Sequence, residues 1–255
     1  MSSWQDALKA VGVQDGPKLP KRFYKAVQVE RSDAGFAVLL DGKALRTPTR
    51  LPIVLQDAKI AEELAREWAA QGEFIAPSTM PLTRLVNSAL SAVADRRAEV
   101  LAEITRFAGS DLTCYRAPSP SELVALQAAA FDDVLEWAQH QFGSAFATTD
   151  GVAHVVQAPE RIINVAAHIE NVVGDGAVAS LRLAALSTMT SLTGSALIPL
   201  YCLAGGCTLQ AAWNKAHVDE DYQIGLWGED EEAQNRRAAR WSEMQAAGLV
   251  LGIAG

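Results

Sequence analysis

Gly35-Phe36-Ala37-Val38-Leu39-Leu40-Asp41-Gly42-Lys43-Ala44-Leu45-Arg46-Thr47 is the stretch whose reading decides the fold class. Asp41-Gly42 is a strong two-residue hairpin signal between apolar runs. It predicts that Phe36 to Leu40 turns directly into Lys43 to Thr47. Upstream, Ser32-Asp33-Ala34-Gly35 has turn composition, and Phe23 to Val29 is rich in aromatic and β-branched residues. Ile53 to Leu55 is a further short strand candidate. Together they read as a small antiparallel meander.

Beyond the meander the period changes from two to about 3.6. Ile60, Leu64 and Trp68 recur every four residues, with Gly72 placed as a stop. Leu82, Leu85, Val86, Ala89, Leu90 and Val93 line one face after Pro81, a good first-turn residue. Val100, Leu101, Ile104 and Phe107 follow. Ala117-Pro118-Ser119-Pro120 is a stiff link, with Ser119 or Ser121 expected to cap the helix carrying Leu123, Leu126, Ala130, Val134 and Trp137. Later helices are expected over 160–173, 177–190, 196–203, 209–226 and 231–247. The fold class is therefore α+β: a small antiparallel β-containing N-terminal domain, then a larger all-helical C-terminal domain. The expected divisions are an N-terminal arm at 1–20, an α+β domain at 21–100 and a helical domain at 101–255.

The chain has 255 residues, 49% of them hydrophobic and 20% charged, which suits a folded domain with a real core and excludes a disordered chain. A net charge of −8 argues against nucleic-acid binding and is compatible with steering toward a basic protein surface. Met1 to Pro20 holds no apolar stretch and no arginine, which disfavours a secretory or mitochondrial leader. No charged residue occurs between Arg182 and Lys215, a length that would span a bilayer. Serines, threonines, Gly194, Pro199, Gly205 and Gly206 interrupt it, and two buried helices with a turn are the preferred reading. Cys114, Cys202 and Cys207 form no even framework and read as reduced, buried thiols.

The search for catalytic chemistry returns little. No phosphate-binding glycine loop, zinc spacing or nucleophile elbow occurs. His217 with Asp219, Glu220 and Asp221 is a loose cluster, read as a surface ion pair of His217 with Asp221 rather than a metal site. A metal-dependent or acid/base hydrolase using the carboxylates from His217 to Glu232 is kept as the alternative function.

Other residues point to recognition. Trp227-Gly228-Glu229-Asp230-Glu231-Glu232 places four carboxylates after an indole and a glycine. Acidic residues in a first helical turn meet the helix dipole favourably, and the same run can present an anionic knob to a basic partner. Trp68, Trp137, Trp213, Trp227 and Trp241 fall in helical segments and read mostly as core. Arg84 and Asn87 lie three apart on a helix whose other face is apolar. Asp111-Leu112-Thr113-Cys114-Tyr115-Arg116 sets an aspartate and an arginine around a tyrosine. An Arg84–Asp111 pair joining the two parts is one reading, and Asp111 as a local cap is another.

Arg22-Phe23-Tyr24-Lys25, the hairpin from Asp41 to Pro48, Glu67-Trp68 with Gln71-Gly72-Glu73, Met80 to Leu85, Asp111 to Arg116, Leu192-Thr193-Gly194-Ser195 and Trp227-Gly228 resemble, in order, the assembly chaperones for the α subunit of F-type ATP synthase. The resemblance runs from about Arg22 to Ala247. It implies an N-terminal α+β domain, a C-terminal helical domain, binding of the unassembled α subunit, no cofactor and no catalysis. It also implies that the functional acidic residue of a Trp-Gly-x-x-Glu pattern falls on Glu231. Mitochondrial relatives tend to carry His-Asp shortly afterwards, where this chain has Gln234-Asn235. Expected partner-binding residues are Glu231, Trp227, Gly228, Glu229, Asp230, Arg84, Asp111 and Arg116, in a monomeric bacterial cytoplasmic protein.

Overall fold

Asp41 and Gly42 both take positive φ, 47° and 79°, and turn β2 (Gly35–Leu40) directly into β3 (Lys43–Ala44). The computed structural model describes residues 19–253; the expected arm at 1–20 lies outside them except for Leu19 and Pro20. The Asp41 carboxylate accepts the backbone N–H groups of Lys25 and Ala26, which holds it below the usual carboxylate range. β1 (Val27–Ser32) runs antiparallel to β2, with Val27 opposite Leu40 and Ser32 opposite Gly35. In that register Val38 and Leu40 face the core, under the buried Ile60, Ala61 and Leu64 of α1 (Ala58–Ala69). Gly35 is obligatory here: a Cβ would lie 2.5 Å from the Leu55 carbonyl oxygen.

The strands depart from expectation in four places, the first being β3, expected to reach Thr47 but ending at Ala44. The first strand begins at Val27 rather than Phe23, because Arg22 and Tyr24 turn toward the end of α1. The Arg22 guanidinium stacks over the Tyr24 ring and donates to Ala69 O, while Tyr24 Oη donates to Trp68 O at 2.7 Å. Ile53 to Leu55 makes no strand, only the single bridges Phe36–Leu55 and Arg46–Pro52. The helical part is not purely helical: β4 (Tyr115–Arg116) pairs in parallel with β5 (Thr149–Asp150).

The helices follow the apolar periodicity. α2 (Pro81–Ser88) continues as a π-helical segment, Ala89–Val93, and buries Leu82, Leu85, Val86, Ala89 and Val93. Its first turn is capped from a distance: both Glu67 oxygens accept, from Leu82 N and Thr83 N at 2.7 Å each. α3 (Arg97–Gly109) and α4 (Ser121–Phe142) come next. Neither Ser119 nor Ser121 caps α4; Pro120 occupies the cap position and brings no side-chain acceptor. α5 (Pro159–Val173) leads to α6 (Ala179–Thr193), which buries ten of its fifteen residues, including Leu183, Leu186 and Met189. A helix buried over most of its surface belongs near a protein's centre. α3, the π-helical segment and α10 (Glu231–Leu251) cover α6. The charge-free stretch is thus the centre of the core, and truncating Leu186 or Leu183 to alanine would cost about 2–5 kcal/mol. No helix among the described residues is long and apolar enough to cross a membrane.

α7 (Leu197–Leu203) and α8 (Leu209–Ala216) complete the stretch. The single helix expected over 209–226 is broken at His217, where φ is −113° and ψ 18°. His217 Nδ1 donates to Trp213 O at 2.8 Å, occupying the carbonyl that its own backbone N–H would reach in a continuous helix. The chain restarts as α9 (Val218–Trp227).

Candidate functional site

α9 contains no buried residue, and its last turn leaves Leu226 57% and Trp227 85% exposed. Gly228, at φ 85° and ψ 176°, turns the chain out of α9, and its N–H still bonds to Ile224 O at 2.9 Å. Asp230 is extended and its Oδ2 accepts Ala233 N at 3.0 Å, so it caps α10. A cavity of about 490 Å³ opens between the helices, lined in part by Ile224, Trp227, Glu229, Asp230 and Arg237. The Arg237 guanidinium pairs with Asp221 and ties α10 back to α9.

The four carboxylates of the acidic run have different fates. Glu229 accepts from Gln234 Nε2, Asp230 caps, and Glu232 pairs with Arg236 one turn along. Glu231 alone of the four has neither a hydrogen-bond nor an ion-pair partner among the described residues, and it is exposed. It stands in the first turn of α10, where the helix dipole favours its charge. The corner therefore combines a bare indole, a bare leucine and one uncommitted carboxylate. A Trp side chain covers 150–250 Å² when a surface closes over it, on the order of several kcal/mol of apolar burial.

Trp227, Gly228, Glu229, Asp230 and Glu231 come together as the sequence suggests. Arg84, Asp111 and Arg116 lie elsewhere, each engaged internally. Arg84 Nη2 donates to Glu243 Oε1 at 2.6 Å, so the Arg84–Asp111 pair does not form. Asp111 is wholly buried and accepts from Thr113, Ser195, Ala196 and Leu197. Arg116 sits over the Phe131 ring and donates to Thr113 O, Gln127 O and Asp132 Oδ1. His217 is also corrected: it is buried rather than on the surface, and its ring stacks on Trp213 with centroids 3.9 Å apart. Burial lowers its pKa, and Asp221 is paired with Arg237 instead. Among the described residues no three His, Cys, Asp or Glu side chains are arranged to hold a metal.

Leu226, Gln234 and Arg237 also belong to the corner, beyond the residues expected to bind a partner. The signal for Leu226 was its place beside Trp227 at a helix end just before a glycine. The others need the fold, since Arg237 meets Asp221 only after Gly228 folds α10 back.

Residues 21–139 match the family described as ATP12 chaperone protein. Among solved structures, the chain matches Atp12 from Paracoccus denitrificans with TM-score 0.80 at 33% identity, covering 91% of this chain and 97% of that one. A candidate chaperone from Agrobacterium tumefaciens matches with TM-score 0.84 at 42% identity, covering 98% of this chain and 95% of that one. An aspartate-to-lysine variant of the Paracoccus protein gives TM-score 0.79 at 33% identity, with coverage of 91% and 97%.

Proposed function

The chain belongs to the ATP12 chaperone family, and from that premise we propose that it binds the free α subunit of F-type ATP synthase and shields its β-facing surface until F1 assembles. Such a subunit exposes a face of the size buried in obligate interfaces, of order 2,000 Å² or more in total. An apolar face of that extent aggregates unless something covers it reversibly. Cover that the true partner can displace is better made from a mixed surface than from a wholly apolar one.

The observation that carries this reading is the α9–α10 corner: Glu231 uncommitted in a run whose other acids are engaged, beside an indole that is 85% exposed. The indole supplies apolar area and the carboxylate supplies orientation and approach rate toward a basic patch. Gly228, Glu229 and Asp230 shape the corner that presents them. Arg84, Asp111 and Arg116 serve the client only indirectly, by holding the body of the chaperone together. On this reading the protein acts as a monomer in a bacterial cytoplasm, without cofactor, nucleic acid or catalysis.

The test is direct. Isolated α subunit is diluted from denaturant with and without the purified protein, and light scattering and co-elution on a sizing column are recorded. Suppressed scattering and a joint peak are expected. Unchanged aggregation together with separate elution would remove the α subunit as the client.

A further inference from the structure

Three cysteines are free in this fold, and two of them meet. Cys202 lies in the last turn of α7, and Cys207 just precedes α8. Between them the chain makes the paired bonds of a glycine-terminated helix end: Gly205 N–H to Cys202 O and Gly206 N–H to Tyr201 O, both 3.0 Å, with Gly205 at φ 81°. That turn brings Cys207 back alongside Cys202. The Cys202 thiol donates to the Cys207 carbonyl oxygen, with Sγ 3.4 Å from that oxygen, so the two cysteines are in direct contact. The Tyr201 ring covers the turn so closely that a Cβ on Gly206 would lie 2.0 Å from Cε2. Cys202 is 2% exposed, whereas Cys207 is half-buried. An incoming reagent meets Cys207 first and finds Cys202 behind it.

The surroundings suit a reactive thiol. The neighbouring Cys202 thiol and the positive charge of the Lys215 ammonium hold Cys207 below the ordinary thiol value, against burial and the Asp133 carboxylate. Lys215 is itself fixed by Asp133 and Ala130 O. Cys114 provides the contrast. It is fully buried, is pushed up to about 12 by burial and by Asp111, and has Gln157 rather than a second cysteine beside it.

We propose that Cys202 and Cys207 are a built-in oxidation site, closing to a reversible intramolecular disulfide when a hydroperoxide reaches the α7–α8 turn. The Cys207 thiolate attacks the peroxide; the S–O bond forms, the O–O bond breaks, and hydroxide or alkoxide leaves. The Cys202 thiol then attacks the sulfenic sulfur; the S–S bond forms, the S–O bond breaks, and the hydroxyl leaves as water with the Cys202 proton. Two thiols lose two electrons, and the peroxide is reduced to water (with one alcohol when the peroxide is organic). Closure stops Cys207 at the reversible rung of thiol oxidation, short of the sulfinic acid.

No Lys or Arg lies between Arg182 and Lys215, so trypsin leaves both cysteines on one peptide. The full-length protein is treated with hydrogen peroxide, quenched, unfolded in urea so that every free thiol is accessible, labelled with iodoacetamide and digested. The expected result is a 183–215 peptide that has lost two hydrogens and takes no label, while Cys114 stays labelled, with label restored at both sites by dithiothreitol. In Cys202→Ser the reaction is expected to stop at a Cys207 sulfenic acid trapped by dimedone. If wild-type Cys207 accumulates dimedone adduct or sulfinic acid while Cys202 stays labelled, the idea is wrong. It is equally wrong if both cysteines stay labelled, or if the disulfide joins two molecules. Should Cys202→Ser fail to fold, the mass of the wild-type peptide decides alone.

Discussion

The Ser195 hydroxyl donates to Asp111 Oδ1 at 2.6 Å, across 84 positions of sequence. The other carboxylate oxygen accepts Ala196 N at 2.8 Å and Leu197 N at 3.0 Å, so one buried aspartate organises the start of α7 from the far side of the core. Thr113 N and Oγ1 complete its shell. Burial pushes the carboxyl up from its ordinary value, and the donors of Ser195, Leu197 and Thr113 draw it back.

Asp111→Ala would leave several buried donors without an acceptor, at about 1–3 kcal/mol for each that water does not reach. The variant is expected to lose about 3 kcal/mol or more of stability. A urea-unfolding midpoint close to the wild-type value would show that water or a shifted backbone replaces the carboxylate.

Glu231→Gln removes a charge that has no hydrogen-bond or ion-pair partner among the described residues. Helix content and unfolding midpoint should stay as they are, while affinity for the α subunit falls. A rim charge is worth under about 1 kcal/mol, and truncating a desolvated pair costs about 2–5 kcal/mol, so the size of the loss reports how deeply the carboxylate is covered. Loss of helicity without loss of binding would return Glu231 to a helix-start role alone.

Trp227→Ala tests the indole independently. Among the described residues nothing packs over most of the ring, so stability should move by no more than about 0.5 kcal/mol. Binding should weaken by about 2 kcal/mol or more if the ring anchors the interface, as buried aromatic anchors do. Isothermal titration against α subunit reads the difference, and unchanged affinity would place the contact elsewhere.

His217 and His168 both have pKa values lowered from 6.5, chiefly by burial. Below 6.5 the unfolded chain takes up protons that the folded chain resists, so stability is complete above that value and declines as pH falls beneath it. His217→Gln removes one of the two groups and should flatten the decline without abolishing it. Urea midpoints collected on both sides of 6.5 give the slope, and an unchanged slope would mean that His217 takes up its proton equally readily in the folded and unfolded chain.

The blocks of sequence that made the chain recognisable are mainly those that hold it together. Arg22 clamps the end of α1, Glu67 caps α2, Arg116 joins three segments, and Thr193 and Ser195 form the turn that Asp111 grips. The fold was legible for that reason, since local turn chemistry and helical period are written in adjacent residues. The Asp41-Gly42 turn and the burial of the charge-free stretch followed directly. Long-range partners were not legible: Arg84 finds Glu243 159 positions away, and nothing near Arg84 points there. The break at His217 was hidden because the apolar pattern runs on through it; only the imidazole's bond to Trp213 O interrupts the helix. At the corner, residue types announced acidity and an indole. Which acid stays uncommitted depends on side-chain pairings that need the folded helices.

Helix α10 begins at the corner and buries its residues only from Met244 onward. At about 1.5 Å per residue its mostly exposed first half extends about 20 Å beyond that anchorage, held at its side by Arg237 on Asp221, Arg240 on Leu192 O and Trp241 against Trp213. The two ends thus answer to different judges. The rooted end must satisfy the core, and little can change there. At the free end Gly228 and Asp230 shape and cap the turn, while Leu226, Trp227 and Glu231 are exposed and can be changed at small cost to folding. A set of variants sharing this body and differing only at those three exposed positions is therefore a practical way to separate what the tip does for folding from what it does for a client.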